Sequence, residues 1–290
     1  MANMREIRTR MKSIQDIMKI TNAMYLISSS KLKKARKNLL AVEPYFEKLQ
    51  STIHEILIRT PHVHQVYFER REEIKPEDRK NGYIVITADK GLAGAYNHNV
   101  IRRAEEEMDK SNHNYLYIVG QVGRQYFKRK KVQVDGEFLY TAQNPTMHRA
   151  QLMSETIIDL FEKGNLDDVY IIYTKMITPM KAEVQFTHIL PLERKKFERR
   201  KGGYQHARFE PSAEEVMNHL VPNYIKGLLY GVLIESFSSE QNARMTAMEA
   251  ATKSAKDMLK ELDLLYNRAR QASITQEINE IVSGAKSLKK

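Results

Sequence analysis

Cysteine is absent from all 290 residues, which removes disulfides, thiolate metal sites and cysteine nucleophiles, and fits a reducing compartment better than secretion. No apolar run approaches the ~18 residues needed to span a bilayer. Met1 to Ile20 carries charges every few residues, so neither a signal peptide nor a membrane anchor is expected there. If the protein works at a membrane, other proteins hold it. Glycine is missing before Gly82, and only Pro44, Pro61 and Pro76 fall in that stretch, so the first ~60 residues are expected to be largely helix. Neither glycine nor proline occurs from Val232 to Ser283, which predicts a second long helix.

With 42% hydrophobic residues, the chain can build one large domain or two ordinary ones. Alternate steps of three and four from Met4 reach Ile7, Met11, Ile14, Met18, Thr21, Tyr25, Ser28, Leu32, Ala35, Leu39, Val42, Phe46, Leu49, Ile53 and Ile56, a sustained heptad seam. Pro44 removes one backbone donor inside it, so a kink or brief break is expected there. The second helix has a seam at Met245, Met248, Thr252, Ala255, Leu259, Leu262, Tyr266 and Ala269, then shifts phase to Ile274, Ile278 and Ile281; its last turns should face different neighbours. Ser212 followed by Glu215 resembles a capping box just after Pro211. At ~1.5 Å per residue, a helix from there to about Lys286 is roughly 110 Å long, too long for a compact domain to wrap.

Between the helices the period changes. Tyr83–Thr87, Tyr115–Val119 and Val169–Tyr173 are short runs rich in β-branched and aromatic residues and read as buried strands. Helical patterns around Val100–Met108, Gly123–Arg129 and Met147–Lys163 separate them, which implies β-α-β crossovers. Glu183–Leu190 adds a further strand, antiparallel after a turn at Thr178 and Pro179, and Arg194 to Lys201 with Gly202 and Gly203 reads as a surface loop. The fold class is therefore α/β plus a long coiled coil: an antiparallel pair of N- and C-terminal helices with a central Rossmann-like, mainly parallel α/β domain, divided as 1–60, 61–210 and 211–290. Two separate helices recruiting different partners is the alternative.

Catalytic chemistry is hard to find. The loop Asp89-Lys-Gly-Leu-Ala-Gly94 lacks the spacer and Lys-Ser/Thr ending of a P-loop and does not match the three-glycine dinucleotide pattern. Asp89, Gly91 and Gly94 thus read as a sharp β-α turn, with phosphate binding at the following helix N-terminus as the alternative. His62 and His64 are the only close histidine pair and have no carboxylate cluster at helical spacing. No Gly-x-Ser-x-Gly elbow occurs, and Asp167-Asp168 reads as a turn before a strand rather than an acid/base pair.

The formal charge of +11 suggests polyanionic or acidic partners. Met1 to Leu40 holds ten Lys or Arg against Glu6 and Asp16, with Lys31, Lys33, Lys34, Arg36 and Lys37 densely clustered. A solvated helix face, an acidic protein partner and nucleic acid are all compatible with that pattern; nucleic acid would favour stacking aromatics nearby, and only Tyr25 is close.

Three segments carry a resemblance that runs over essentially the whole chain: Lys19-Ile-Thr-Asn-Ala-Met24 with Ser30-Lys-Leu-Lys33; Asp89-Lys-Gly-Leu-Ala-Gly94 with Asn97; and Ala269-Arg-Gln-Ala-Ser-Ile-Thr-Gln-Glu-Ile278 followed by Glu280-Ile-Val-Ser-Gly-Ala285. Glu240 to Met248 and Leu265-Tyr-Asn-Arg268 agree with them. The sequence resembles the gamma subunit of F-type ATP synthases, bacterial type; Tyr25, Ala93 and the terminal Lys286, Lys289 and Lys290 depart from the family pattern.

The resemblance implies a non-catalytic central-stalk rotor, one copy per complex, peripheral at the cytoplasmic side of the cell membrane. It implies coupling of proton flow to ATP synthesis or hydrolysis and regulation of the ATPase. Its partners would be the alpha and beta subunits, epsilon and the membrane c-ring, with no nucleic acid. No cofactor is expected on this chain; ATP, ADP and Mg would sit in the alpha and beta subunits. Carried over by residue, Arg270, Gln271, Thr275 and Glu277 would contact beta-subunit loops, and Lys19 and Met24 would face the beta catch region. Ile274, Ile278 and Ile281 would turn in an apolar bearing, and Lys31, Lys33, Lys34 and Arg36 would meet an acidic beta loop. A basic coiled-coil adaptor for nucleic acid or an acidic protein, and an enzyme with its site at Asp89–Gly94, are the competing readings.

Overall fold

A computed structural model describes residues 4–60, 62–63, 65–135, 138–178, 181–198 and 209–287. Pro61, His64, Pro179, Gly202, Gly203, Lys289 and Lys290 lie outside the described residues. The first helix, α1, runs Met4–Arg59 and the last, α6, runs Ala213–Ser287. Between them lie β1 (Lys80–Ile86), α2 (Tyr96–Met108), β2 (His113–Val119), α3 (Gln121–Arg129), α4 (Met147–Glu162), β3 (Asp168–Thr178), β4 (Lys181–Leu190) and the single turn α5 (Lys195–Glu198). Packing divides the chain into two compact units, Met1–Ser29 with Arg244–Lys290, and Ser30–Ala243. Each long helix contributes to both.

Local chemistry sets the helix limits. The expected break at Pro44 does not occur, because α1 continues through it. The donor that Pro44 lacks would have served the carbonyl of Leu40, which sits on the exposed side of the helix, where water replaces it. At the start of α6, Ser212 Oγ accepts from Glu215 N at 3.1 Å and its carbonyl accepts from Val216 N at 3.1 Å, satisfying donors that a bare helix end leaves open.

In the Ser30–Ala243 unit the strand order is β2-β1-β3-β4. β1 pairs in parallel with both β2 and β3, and β4 is antiparallel to β3. Alternation sends Ile84, Ile86, Val119 and Ile171 to one face, where they pack with α4 and with Ile53 and Ile56 of α1 and Met217, Val221, Ile225 and Leu229 of α6. Tyr83, Val85, Ile118 and Ile172 go to the other face, under Val100, Ile101 and Ala104 of α2 and Phe127 of α3. The result is a three-layer arrangement whose outer layer on one side is made of the long helices themselves. Where they meet, a Cβ added at Gly227 would lie 1.8 Å from Phe46 Cε1, so only glycine admits that ring.

In the other unit, Thr21 Oγ1 lies 2.8 Å from Thr252 Oγ1, and Ile7 and Arg10 share a groove with Leu262, Leu265 and Ala269. Residue numbers rise along one helix as they fall along the other, so the two stretches run antiparallel. Every seam position read from the sequence, from Ile7 to Ser28 and from Met245 to Ala269, is buried or half-buried. Beyond Ala269 the seam ends: from Arg270 to Ala285 every residue except Ser273 is exposed.

Replacing Gly227 with Ala should cost about 1–3 kcal/mol in the urea-unfolding free energy of the full chain through overpacking against Phe46. Adding Phe46→Ala should recover part of the loss; two strictly additive losses would mean that the ring does not set the spacing.

Candidate functional site

The glycine loop after β1 is tied down at almost every turn. Ala88 N donates to Asn97 Oδ1 at 2.8 Å. Ala93 and Tyr96 pack against Ala243, and Tyr96 OH lies 2.7 Å from Ser236 Oγ within the interior of the unit. Gly94 has φ +55, a conformation that favours glycine, whereas nothing crowds Gly91. Asp89 accepts from Gln121 N at 3.1 Å through Oδ1 and from Gln143 N at 3.0 Å through Oδ2. Gln121 opens α3, so this carboxylate occupies the position at a helix N-terminus where a doubly wound sheet would hold a ligand's phosphate. The loop reads as a structural turn closed by its own anion.

Close approach explains the neighbouring glycines. Gly123 N donates to Thr87 Oγ1 at 3.0 Å, and a Cβ at Gly120, where φ is +95, would fall 2.3 Å from Thr87 O. Sequence reasoning did not single out Gly120, Gln121 or Gln143, because the partners that give them meaning lie 32 to 54 residues upstream at Thr87 and Asp89.

Asp167 and Asp168 stand where the sequence reading put them, Asp167 at the bend before β3 and Asp168 as its first residue. Both are buried at the start of β3. Asp167 accepts from Arg71 Nη1 at 2.8 Å and from Lys80 N at 2.9 Å. Asp168 is paired with Arg79 Nε and lies 3.0 Å from His188 Nε2. Burial alone would raise the Asp168 pKa, but the hydrogen bond to His188 and the Arg79 guanidinium together hold it below the ordinary 3.8. The cluster sits where the parallel strands begin, the opposite end from Asp89, and buried pairs of this kind fix register rather than perform chemistry. Among the described residues no group of three or more His, Asp or Glu is placed to hold a metal ion, and His62 is exposed on a turn.

The remaining candidates are surface features. Lys31, Lys33, Lys34 and Arg36 are all exposed, with Arg36 Nη2 3.5 Å from Met176 Sδ. Lys19 is exposed and bridges to Asp16 at 3.1 Å, while Met24 is half-buried. Arg270, Gln271, Thr275 and Glu277 are exposed; Thr275 Oγ1 donates to Gln271 O at 2.9 Å and Ser273 Oγ to Glu277 Oε1 at 3.4 Å, both within the helix. Ile274, Ile278 and Ile281 are 46%, 54% and 71% exposed. Three large apolar side chains on a bare helix end are a surface made for a partner.

Comparison with known proteins accounts for this pattern. The family model described as ATP synthase matches residues 3–288. An ATP synthase gamma chain of Acetivibrio thermocellus is 48% identical over 297 residues, covering 100% of both chains. That of Ruminiclostridium cellulolyticum is 49% identical over 292 residues, covering 99% of each. The chain belongs to the ATP synthase gamma chain family. Its fold is shared with a chain in the central stalk and c-ring structure of the Tetrahymena thermophila mitochondrial ATP synthase, at 23% identity and a TM-score of 0.56, over 80% of this chain and 99% of that one.

Asp89→Ala should leave the Gln121 and Gln143 amides unpartnered and destabilise the chain by about 1–3 kcal/mol, with sulfate restoring stability more in the variant than in the wild type; an unchanged urea midpoint would remove the closing role. Arg79→Met should cost about 3–5 kcal/mol near neutral pH by stranding the Asp168 charge. Because the folded Asp168 pKa is depressed, the wild-type advantage is complete above the unfolded value near 3.8 and shrinks as pH falls through the folded one. Urea titrations at pH 7 and below pH 4 check that narrowing.

Proposed function

We propose that this gamma-family chain is the central-stalk rotor of an F-type ATP synthase. Its long helices stand inside the hexamer of alpha and beta subunits, and its α/β unit contacts epsilon and the membrane c-ring. The observation that carries this reading is the last part of α6, where Ile274, Ile278 and Ile281 are exposed. Isolated apolar ridges of this kind need a sleeve, and a surrounding hexamer supplies one.

The chain is non-catalytic in this reading. Nucleotides and Mg bind in the alpha and beta subunits, and coupling works by shape: a stiff, asymmetric pair of packed helices turns inside the hexamer and changes which beta conformation is most favoured at each angle. Arg270, Gln271, Thr275 and Glu277 add polar contacts to beta loops, with Lys19 and Met24 lower on the shaft. Lys31, Lys33, Lys34 and Arg36 face an acidic beta loop, a contact worth less per pair than its charge suggests because exposed pairs contribute only about 0–1 kcal/mol each. No described helix is long and apolar enough to cross a membrane, so the chain is held peripherally by its partners.

Truncation from Ile274 onward tests the bearing directly. Coupled ATP synthesis in membranes carrying the truncated chain should fall severalfold, while limited proteolysis shows the α/β unit still folded. Synthesis at the full rate would remove the bearing role from Ile274, Ile278 and Ile281.

A further inference from the structure

The Ser30–Ala243 unit carries a cavity of about 320 Å³ on the side of α1. Its apolar part is formed by Ala35 of α1 with Phe237 of α6, and its polar rim by Lys31, Lys34 and Gln143. No carboxylate is among its described lining residues. Lys31, Lys34 and Ala35 recur at steps of three and one, so they share one face of the helix. The opposite rim is fixed by bonds within the chain. Gln143 N donates to Asp89 at 3.0 Å, and Gln143 O accepts from Arg149 Nη1 at 2.7 Å. Arg149 N in turn donates to Thr146 Oγ1, the cap of α4, at 3.3 Å. The charge of Asp89 is spent on two backbone amides, which offsets its repulsion of a second anion nearby.

We propose that this cavity binds a small organic anion, with a single-ring or branched apolar body over Ala35 and Phe237 and a carboxylate or phosphate group between Lys31 and Lys34. The volume lies at the low end of small-molecule sites, ~300–1,000 Å³, which limits the ligand to about one ring. Both ammonium groups are exposed, so attraction to a bare anion is weakened by solvent. Discrimination comes from the combination: the apolar floor rewards a body that inorganic phosphate lacks, and the lysines reward a charge that a neutral ring lacks. The Gln143 side of the rim is already fixed, whereas ordering Lys31 and Lys34 costs part of the binding energy. The test is made on the isolated chain, because Lys31 and Lys34 of this cavity are also the residues read above as meeting an acidic beta loop.

Isothermal titration of the full-length chain with phenyl phosphate is the test, with inorganic phosphate and phenol as probes that each carry half of the chemistry. Phenyl phosphate should saturate one site and bind at least about tenfold more tightly than either half probe. Lys31→Gln with Lys34→Gln should weaken it about tenfold, and raising the salt concentration should weaken the wild type more than that variant. Asn38→Phe, an exposed position that also lines the cavity, should block binding without removing charge, and circular dichroism checks that each variant is folded. Absence of saturation by about 10 mM, in the range of the weakest specific affinities, would overturn the proposal. So would equal binding of the half probes, or wild-type affinity in both variants.

Discussion

Everything else in the α/β unit depends on the long helices being part of its core. Ile53 and Ile56 of α1 and Met217, Val221, Ile225 and Leu229 of α6 are fully buried against the same sheet face as Ile84 and Ile171. Each such side chain contributes about 1.5–3 kcal/mol by removal from water, an upper value because unfolded chains already bury some of that surface. A helix held by a loop would turn freely on its tether. A helix that forms one layer of a packed domain cannot rotate without rotating the sheet, because close-packed interiors transmit displacement rather than absorb it. For a chain read as a rotor, that burial is the mechanical coupling.

The two ends of the sheet are closed by carboxylates in different ways. At the end where strands finish, Asp89 joins the β1 loop, the start of α3 and the segment before α4 through backbone amides. At the end where they begin, Asp167 and Asp168 gather Arg71, Arg79 and His188. Backbone amides give a short, neutral clamp, and guanidinium pairs give a stronger but costlier one that excludes every unpaired arrangement. Both sites would resemble active-site chemistry if judged by residue type alone. In all three aspartates, each carboxylate oxygen is turned to one of the chain's own donors or to His188.

What could be read in advance follows from the range of each interaction. The heptad seam of α1 and α6 was legible because it depends only on local spacing, and the same positions proved to be the buried and half-buried ones. The strands β1, β2, β3 and the antiparallel β4 were legible from β-branched runs between turn residues. Pro44 was legible as a residue that does not end α1, and the helix runs through it without a break, since a missing donor on the exposed side of a helix costs less than one in a core. Asp167 and Asp168 were legible as the turn before a strand, but their partners were not, because Arg71 and Arg79 lie about 90 residues upstream. Nothing local announces a partner at that separation.

The phase shift after Ala269 sets the last apolar residues of α6 on a new face of the helix. From Ala269 to Ile274 the apolar stripe advances by five residues, which turns it about 140° around the helix axis. Up to Ala269 the stripe meets α1, as the shared groove of Ile7 with Leu262 and Leu265 requires. Past it, from Arg270 to Ala285, every residue except Ser273 is exposed. A helix end with no neighbour would be expected to become polar on all sides. Instead Ile274, Ile278 and Ile281 keep helical spacing on a new face, amid Thr275, Glu277 and Glu280. Such a ridge is stable in water only at the cost of exposed apolar area, so its preservation in a helix that is otherwise well formed argues for a surface outside this chain that covers it.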